Sequence, residues 1–224
     1  MQITAETISG KTQAYLCDLT DGCLLHMDVI SPFVVMQSAA AKQGFDLQVA
    51  SGFRSYERQL AIWNAKASGD RAILDGAGLP IDPNSLSDTE RVFAILRWSA
   101  LPGCSRHHWG TDMDVWDAAA VPADYSLQLI PAEYELGGPF YELNCWLEQN
   151  AARFGFARPY ATDLGGVAPE PWHLSYLPLA QQFERKLDAA FVREILDNSQ
   201  IALGETVLNN LDEILSKFIR VFHK

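Results

Sequence analysis

Between Ser105 and Asp114 the chain carries His107, His108, Asp112 and Asp114 within ten residues, and about sixty residues later Glu170-Pro171-Trp172-His173 adds a carboxylate and an imidazole. If the two clusters act together, two remote segments must meet at one point, and the fold is constrained accordingly. The residue types suit a catalytic zinc site, which takes three nitrogen or oxygen ligands, keeps a fourth position open and leaves a carboxylate free as a base. His107, Asp114 and His173 are assigned as the ligands and Glu170 as the base. Short Cys/His repeats of the zinc-finger kind are absent, so a closed structural site is not indicated. On residues alone, the alternative that these histidines are ordinary core or surface residues stays open.

Composition narrows the function classes. A chain of 224 residues is one domain, or one domain with an appendage. At this size roughly 70% of the extended-chain surface is buried, enough for a core without staples. With 48% hydrophobic and 20% charged residues it reads as an ordinary globular protein. A net charge of −11 and the absence of Lys/Arg clusters argue against a nucleic-acid partner and against adhesion to anionic lipid. No apolar run is long enough for a membrane span, and the N-terminus has no signal-peptide pattern. The sequence as it stands is therefore expected in the cytoplasm, or in the periplasm or outside the cell if an export signal was removed. Cys17 and Cys23 pair only in an oxidising compartment. Cys104, three residues before His107, is either a metal ligand or a small buried hydrophobe, and free cysteine favours the second role.

Along the chain, residues 1–27 read as an N-terminal arm or small hairpin, with His26 structural. A helix is expected from Ser31-Pro32 to about Lys42, with Ser31 as cap and Pro32 in the first helical position. Asp46 to Ala50 alternates as a strand. Tyr56 to Ala67 follows as a helix with Leu60, Ile62 and Trp63 inward. Residues 68–86, rich in Gly, Asp and Pro, form a loop over the site. Ser87-Asp88-Thr89-Glu90 is a capping box opening a helix with Val92, Phe93, Ile95, Leu96 and Trp98 in the core. Gly110 permits a sharp bend before a strand from Thr111 to Trp116. Because residues two apart share a strand face, Asp112 is either a rival ligand or a partner that orients an imidazole. Residues 117–138 are irregular, and a helix spans Phe140 to Phe154 over Leu143, Trp146 and Leu147. Glu170 and His173 are three apart and face opposite ways on a regular strand, so Pro169 and Pro171 are expected to bend the backbone there. From Pro178 onward two apolar stripes mark helices.

Ser105-x-His107 with Gly110 and Asp114, followed by Glu170-x-x-His173, resembles the paired motifs of the zinc D-alanyl-D-alanine carboxypeptidase family. Its members include VanY-type carboxypeptidases, D-Ala-D-Ala dipeptidases and L,D-carboxypeptidases, and its fold is shared with the Hedgehog signalling domain. Ser51-Gly52-Phe53-Arg54-Ser55-Tyr56, with Gln59, resembles a third motif. The likeness runs from about residue 28 to 178, and it departs from the family's pattern at Asp112, where a small apolar residue is usual.

The resemblance implies an α+β fold, with an antiparallel central sheet bearing the ligands on one face and helices flanking it. It implies a catalytic domain over 1–178, including the N-terminal arm, with a C-terminal helical extension over 179–224. Zn2+ is the implied cofactor and a peptidoglycan-derived peptide the implied partner. Arg54, Ser105 and Gln59 are the implied substrate-binding residues, with Arg54 holding either the terminal carboxylate or the developing oxyanion. The expected activity is a D,D- or L,D-carboxypeptidase, or a dipeptidase, with Glu170 as the general base. A non-catalytic zinc-containing binding domain is the alternative the same fold permits, and a metal-free α+β domain is the third.

Overall fold

The computed structural model describes residues 2–20, 22–197 and 199–222; positions 1 and 21 of the expected arm and 198, 223 and 224 of the expected extension lie outside it. The N-terminal stretch folds as a short helix α1 (Ala5–Ser9) and a hairpin of β1 (Leu16–Thr20) and β2 (Cys23–His26). Helix α2 (Met27–Ala41) begins earlier than the Ser31-Pro32 signal predicts, and Pro32 lies inside it. The cap is the His26 imidazole, whose Nδ1 accepts from the Asp28 amide at 3.2 Å. With its cap supplied from the hairpin, the helix starts there and accommodates a proline that removes one backbone bond.

The chain continues through β3 (Leu47–Ser51), α3 (Tyr56–Ser68), the small hairpin β4 (Ile73–Leu74) and β5 (Pro80–Ile81), and α4 (Asp88–Leu96). The capping box at Ser87 and Glu90 forms as expected. On α3 the buried face is Tyr56, Gln59, Trp63, Lys66 and Ala67, whereas Leu60 and Ile62 are half-buried. The inward stripe is thus displaced from the purely apolar one, because this face also supplies polar groups to a cleft. Phe93 and Trp98, expected in the core, are also half-buried.

After a 3-10 turn at Arg106–Trp109 come β6 (Asp112–Asp117), α5 (Pro131–Tyr134), α6 (Tyr141–Asn150), β7 (Phe156–Ala157) and β8 (His173–Tyr176). Strands β3, β6, β8 and β7 form an antiparallel sheet in that order. Alternation along β6 separates its two faces. Met113 and Val115 join Val29, Phe33, Leu143 and Leu147 in a core behind the sheet, while Asp112 and Asp114 point to the front. Burying such large aliphatic side chains stabilises the fold by roughly 1.5–3 kcal/mol each, so the register of β6 is firmly set.

A second core lies on the other side. Trp63, Ile95, Trp109 and Phe183 pack there with Val192, Val207, Leu211 and Ile214 of α8 (Ala189–Asp197), α9 (Gly204–Asn209) and α10 (Leu211–Ile214). These helices follow α7 (Leu177–Glu184), and a π-helical turn, Leu215–Ile219, comes after them. The C-terminal segment therefore shares its core with α3 and α4. Among the described residues no helix is long and apolar enough to cross a membrane. All four cysteines are free thiols, and the hairpin register sets Cys17 opposite Leu25.

Candidate metal centre and active site

Three local structures bring the predicted ligands together. In the pairing of β6 with β8, Asp114 stands opposite His173 and Asp112 opposite Ser175. His107 lies in the 3-10 turn before β6, and Gly110 ends that turn at φ 64°. A Cβ at Gly110 would stand 2.6 Å from the Leu16 side chain and 2.8 Å from the His26 amide, so only glycine allows the hairpin to approach. The third structure is a turn: the His173 amide donates to the Glu170 carbonyl at 3.1 Å, with Pro171 in the second position that its fixed φ favours. This turn, rather than a bent strand, brings the Glu170 carboxylate to the same side as His173, with Oε2 3.6 Å from Nδ1.

Candidate ligand atoms of His107, Asp114 and His173 lie within 4.8 Å of one another. Asp114 Oδ2 is 3.4 Å from His107 Nε2, and Asp114 Oδ1 is 3.1 Å from His173 Nδ1. Those separations suit a tetrahedral edge of about 3.4 Å for metal bonds of ~2.1 Å. Each ring has its other nitrogen engaged, which fixes the tautomer. His107 Nδ1 donates to the Gly52 carbonyl at 2.9 Å, and His173 Nε2 meets Asp112 Oδ2 at 3.0 Å. The three donors fit a divalent cation of the zinc type.

The contacts of Asp112 match the second of its two expected roles, a partner that orients an imidazole. Its Oδ1 accepts from Thr111 Oγ1 at 2.8 Å and Ser175 Oγ at 3.0 Å, and its Oδ2 accepts from Arg106 Nε at 2.7 Å as well as facing His173. Both oxygens are occupied on the far side of the ring from Nδ1. Arg106 is held in turn by Glu184 at 2.6 Å and Ser175 at 2.8 Å, and by the rings of Trp109 and Phe222. The Asp112 carboxyl stays well below the usual range: burial opposes this, and the Arg106 charge and the His173 contact outweigh burial.

The electrostatics divide the titratable groups by role. Burial pushes His107 down to about 4, so its ring is neutral and its lone pair free. Burial would lower His173 as well, but hydrogen bonds to Asp112 and Asp114 outweigh it and push the ring up to about 10. Without a metal, His173 therefore carries a proton between two carboxylates, which a cation would replace. Burial pushes Glu170 up to about 7, with the His173 charge opposing and Asp114 reinforcing the rise. A carboxyl poised near neutrality can both take and return a proton.

His107, Asp114, Glu170 and His173 line a chamber of about 260 Å3 together with Arg54 and Ser105. Gln59 does not line it. The Gln59 carbonyl accepts from Arg54 Nη1 at 3.0 Å and its amide donates to the Ala100 carbonyl at 2.7 Å, so it sits behind the guanidinium and fixes its direction. His108, adjacent to a candidate ligand, turns away and donates from Nδ1 to the Arg54 carbonyl at 2.6 Å. Cys104 lines the chamber as a neutral thiol pushed up to about 12 by burial, outside the group of candidate ligands.

Sequence reasoning missed Tyr160, whose ring packs against His173 at 5.0 Å, and the Arg106–Glu184 pair. Nothing local signals either. It also missed Lys66, although Gln59, Trp63 and Lys66 recur at helical spacing and place it on the buried face of α3.

The family model described as VanY, D-alanyl-D-alanine carboxypeptidase, matches residues 22–179. A Haemophilus influenzae protein without an assigned function is 37% identical over 121 residues, 53% of this chain and 92% of that one. An Enterococcus faecalis D-alanyl-D-alanine carboxypeptidase is 29% identical over 152 residues, covering 66% of this chain and 47% of that protein. Among solved structures, a mutant of the vancomycin-resistance D,D-pentapeptidase VanY in complex with Zn(II) superposes with a TM-score of 0.52 at 23% identity, covering 88% of this chain and 92% of that one. VanYB in complex with D-alanine-D-alanine gives 0.52 at 24% identity, covering 83% and 89%. At these identities the superpositions establish the shared fold.

Proposed function

The chain belongs to the VanY D-alanyl-D-alanine carboxypeptidase family, and from that membership we propose that it is a zinc-dependent carboxypeptidase removing a terminal D-amino acid from peptidoglycan-type peptides. The observation that carries this reading is the convergence of His107 Nε2, Asp114 and His173 Nδ1, with Glu170 3.6 Å from the last of these. The Zn(II) complex of the VanY relative and the D-alanine-D-alanine complex of VanYB support the choice of metal and substrate class.

His107, Asp114 and His173 would hold the ion. When bound, zinc supplies Lewis acidity that lowers the pKa of water toward ~7 and polarises a carbonyl. Glu170 takes the proton of the attacking water and later delivers it to the departing amine. Arg54, aimed by Gln59, and Ser105 hold the terminal carboxylate or the oxyanion that develops on the scissile carbonyl. Asp112 keeps the His173 ring in the tautomer that leaves Nδ1 free.

The test is product identification from muropeptide tetra- and pentapeptides, with and without chelator. Release of a terminal D-amino acid that stops on chelation supports the reading, and the released residue distinguishes D,D- from L,D-specificity. A protein that binds zinc stoichiometrically yet cleaves none of these peptides would instead be a binding domain of the same fold.

A further inference from the structure

The metal chamber opens into a larger one of about 580 Å3. Arg54, Arg71, Trp98, Glu170 and Trp172 line both. The outer walls come from α3, from residues 71–78 and from residues 128–135, so the two irregular segments of the sequence shape this space.

Its charge is unusual for a protein of net charge −11. Lys66 and Arg71 line the outer chamber beside Arg54, and the three cations repel one another. Lys66 is only 6% exposed. Among the described residues, neither its ammonium group nor the guanidinium of Arg71, an exposed residue at the chamber's mouth, has a hydrogen-bond or ion-pair partner. The chamber's acids, Glu135 and Glu170, form no ion pair with either. Burial first, and then the Arg71 and Arg54 charges, push Lys66 down to about 8. A buried, unpaired ammonium group is costly, and here it faces a cavity rather than a partner.

A carboxypeptidase has a single residue beyond the scissile bond, so a space larger than the reaction chamber and outside it has to hold the amino-side part of the peptide. We propose that Lys66 and Arg71 form a second anion-binding subsite, taking a side-chain carboxylate of a residue on the amino side of the scissile bond. Trp98, Leu129 and Trp172 supply the apolar walls along which the peptide backbone lies. The proposal rests on the carboxypeptidase reading and adds a charge requirement to it.

Two peptides with the same terminal D-alanine test the subsite, one with a side-chain carboxylate on the amino side and the other with a carboxamide. The zinc-loaded wild type is expected to favour the acidic peptide by about 10-fold or more in kcat/KM, mainly through KM, the scale of a charge-assisted hydrogen bond. Lys66→Met and Arg71→Ala should each remove most of that preference, read as the ratio of kcat/KM for the two peptides within each variant. Equal cleavage of the two peptides by wild type overturns the subsite and leaves the reaction intact. So does a preference that survives both substitutions, or variants that instead lose discrimination against a terminal amide. Calorimetric titration of both peptides into the zinc-loaded protein reads the same preference without turnover. Equal affinities there overturn the subsite even if neither peptide is cleaved.

Discussion

The two chambers share a wall and differ in how their charges are held. Behind the wall of the inner one, Asp112, Arg106, Glu184, Ser175 and His173 satisfy one another through short bonds from four parts of the chain. In the outer one the buried Lys66 has no hydrogen-bond or ion-pair partner among the described residues, and Arg71 beside it is exposed to solvent. Charges that close on each other fix a geometry in advance, which is what an ion with ~2 Å bonds requires. Charges left open are expensive at rest and are relieved by a ligand, so the outer chamber gives up some stability for recognition.

Breaking the inner chamber should have the largest effects. Glu170→Ala is expected to lower kcat by about 10²–10⁴-fold, the usual contribution of a general base. Zinc content by elemental analysis should stay at the wild-type level; if turnover persists, Glu170 is not the base. Asp112→Asn should keep all three ligands yet weaken zinc affinity by about 10–100-fold, the typical effect of losing a carboxylate behind a histidine. Chelator competition measures it. The same change leaves the buried Arg106 paired with Glu184 but without the Asp112 charge, and should destabilise the fold by roughly 1–3 kcal/mol, read by denaturant unfolding.

The pH response is a further discriminator. His173 has a folded-state pKa of about 10, above the ~6.5 of an unfolded chain. Its stabilisation of the metal-free protein is therefore complete below ~6.5 and fades as pH rises through 10. Glu170, pushed up to about 7, acts in the same direction because burial penalises its anion. Thermal unfolding of the metal-free protein should show Tm falling between about pH 6.5 and pH 8; below that window the depressed pKa of His107, and above it that of Lys66, act in the opposite direction. The zinc-loaded protein, with the His173 proton displaced, should lack the upper part of that slope.

In the outer chamber the sign reverses. Lys66→Met removes an unpartnered buried cation and should raise stability by about 1 kcal/mol, or ~2–4 °C in Tm for a chain of this size. A large loss of stability would mean that the ammonium group has a structural partner after all. The smallest effect is expected at Cys104: replacement by Ala should leave zinc affinity unchanged, since the thiol stays protonated.

Much of the fold is legible along the chain because it depends on neighbours in sequence. The capping box at Ser87, the alternation on β6 and the amphipathic helices follow from periods and caps that act over a few residues. The start of α2 was not legible at Ser31, because its cap belongs to the preceding hairpin and the side chain that caps is an imidazole. The role of Gln59 behind Arg54 was not legible either, since helical spacing places it near the loop but does not say which side of the guanidinium it occupies.

By its residue types and spacings the sequence determined that two imidazoles and their carboxylates could be brought to one sheet face, with an arginine loop beside them. Only the tertiary structure sets where each carboxylate stands. Asp112 and Asp114 share a strand face, and only the register with β8 sets one at each nitrogen of His173. Likewise only the turn at Pro171 brings Glu170 beside that ring, and only the C-terminal helices carry Glu184 back to Arg106. The physical reason is range: local periodicity is written into adjacent residues, whereas contacts between remote segments depend on register and packing, which no spacing along the chain encodes.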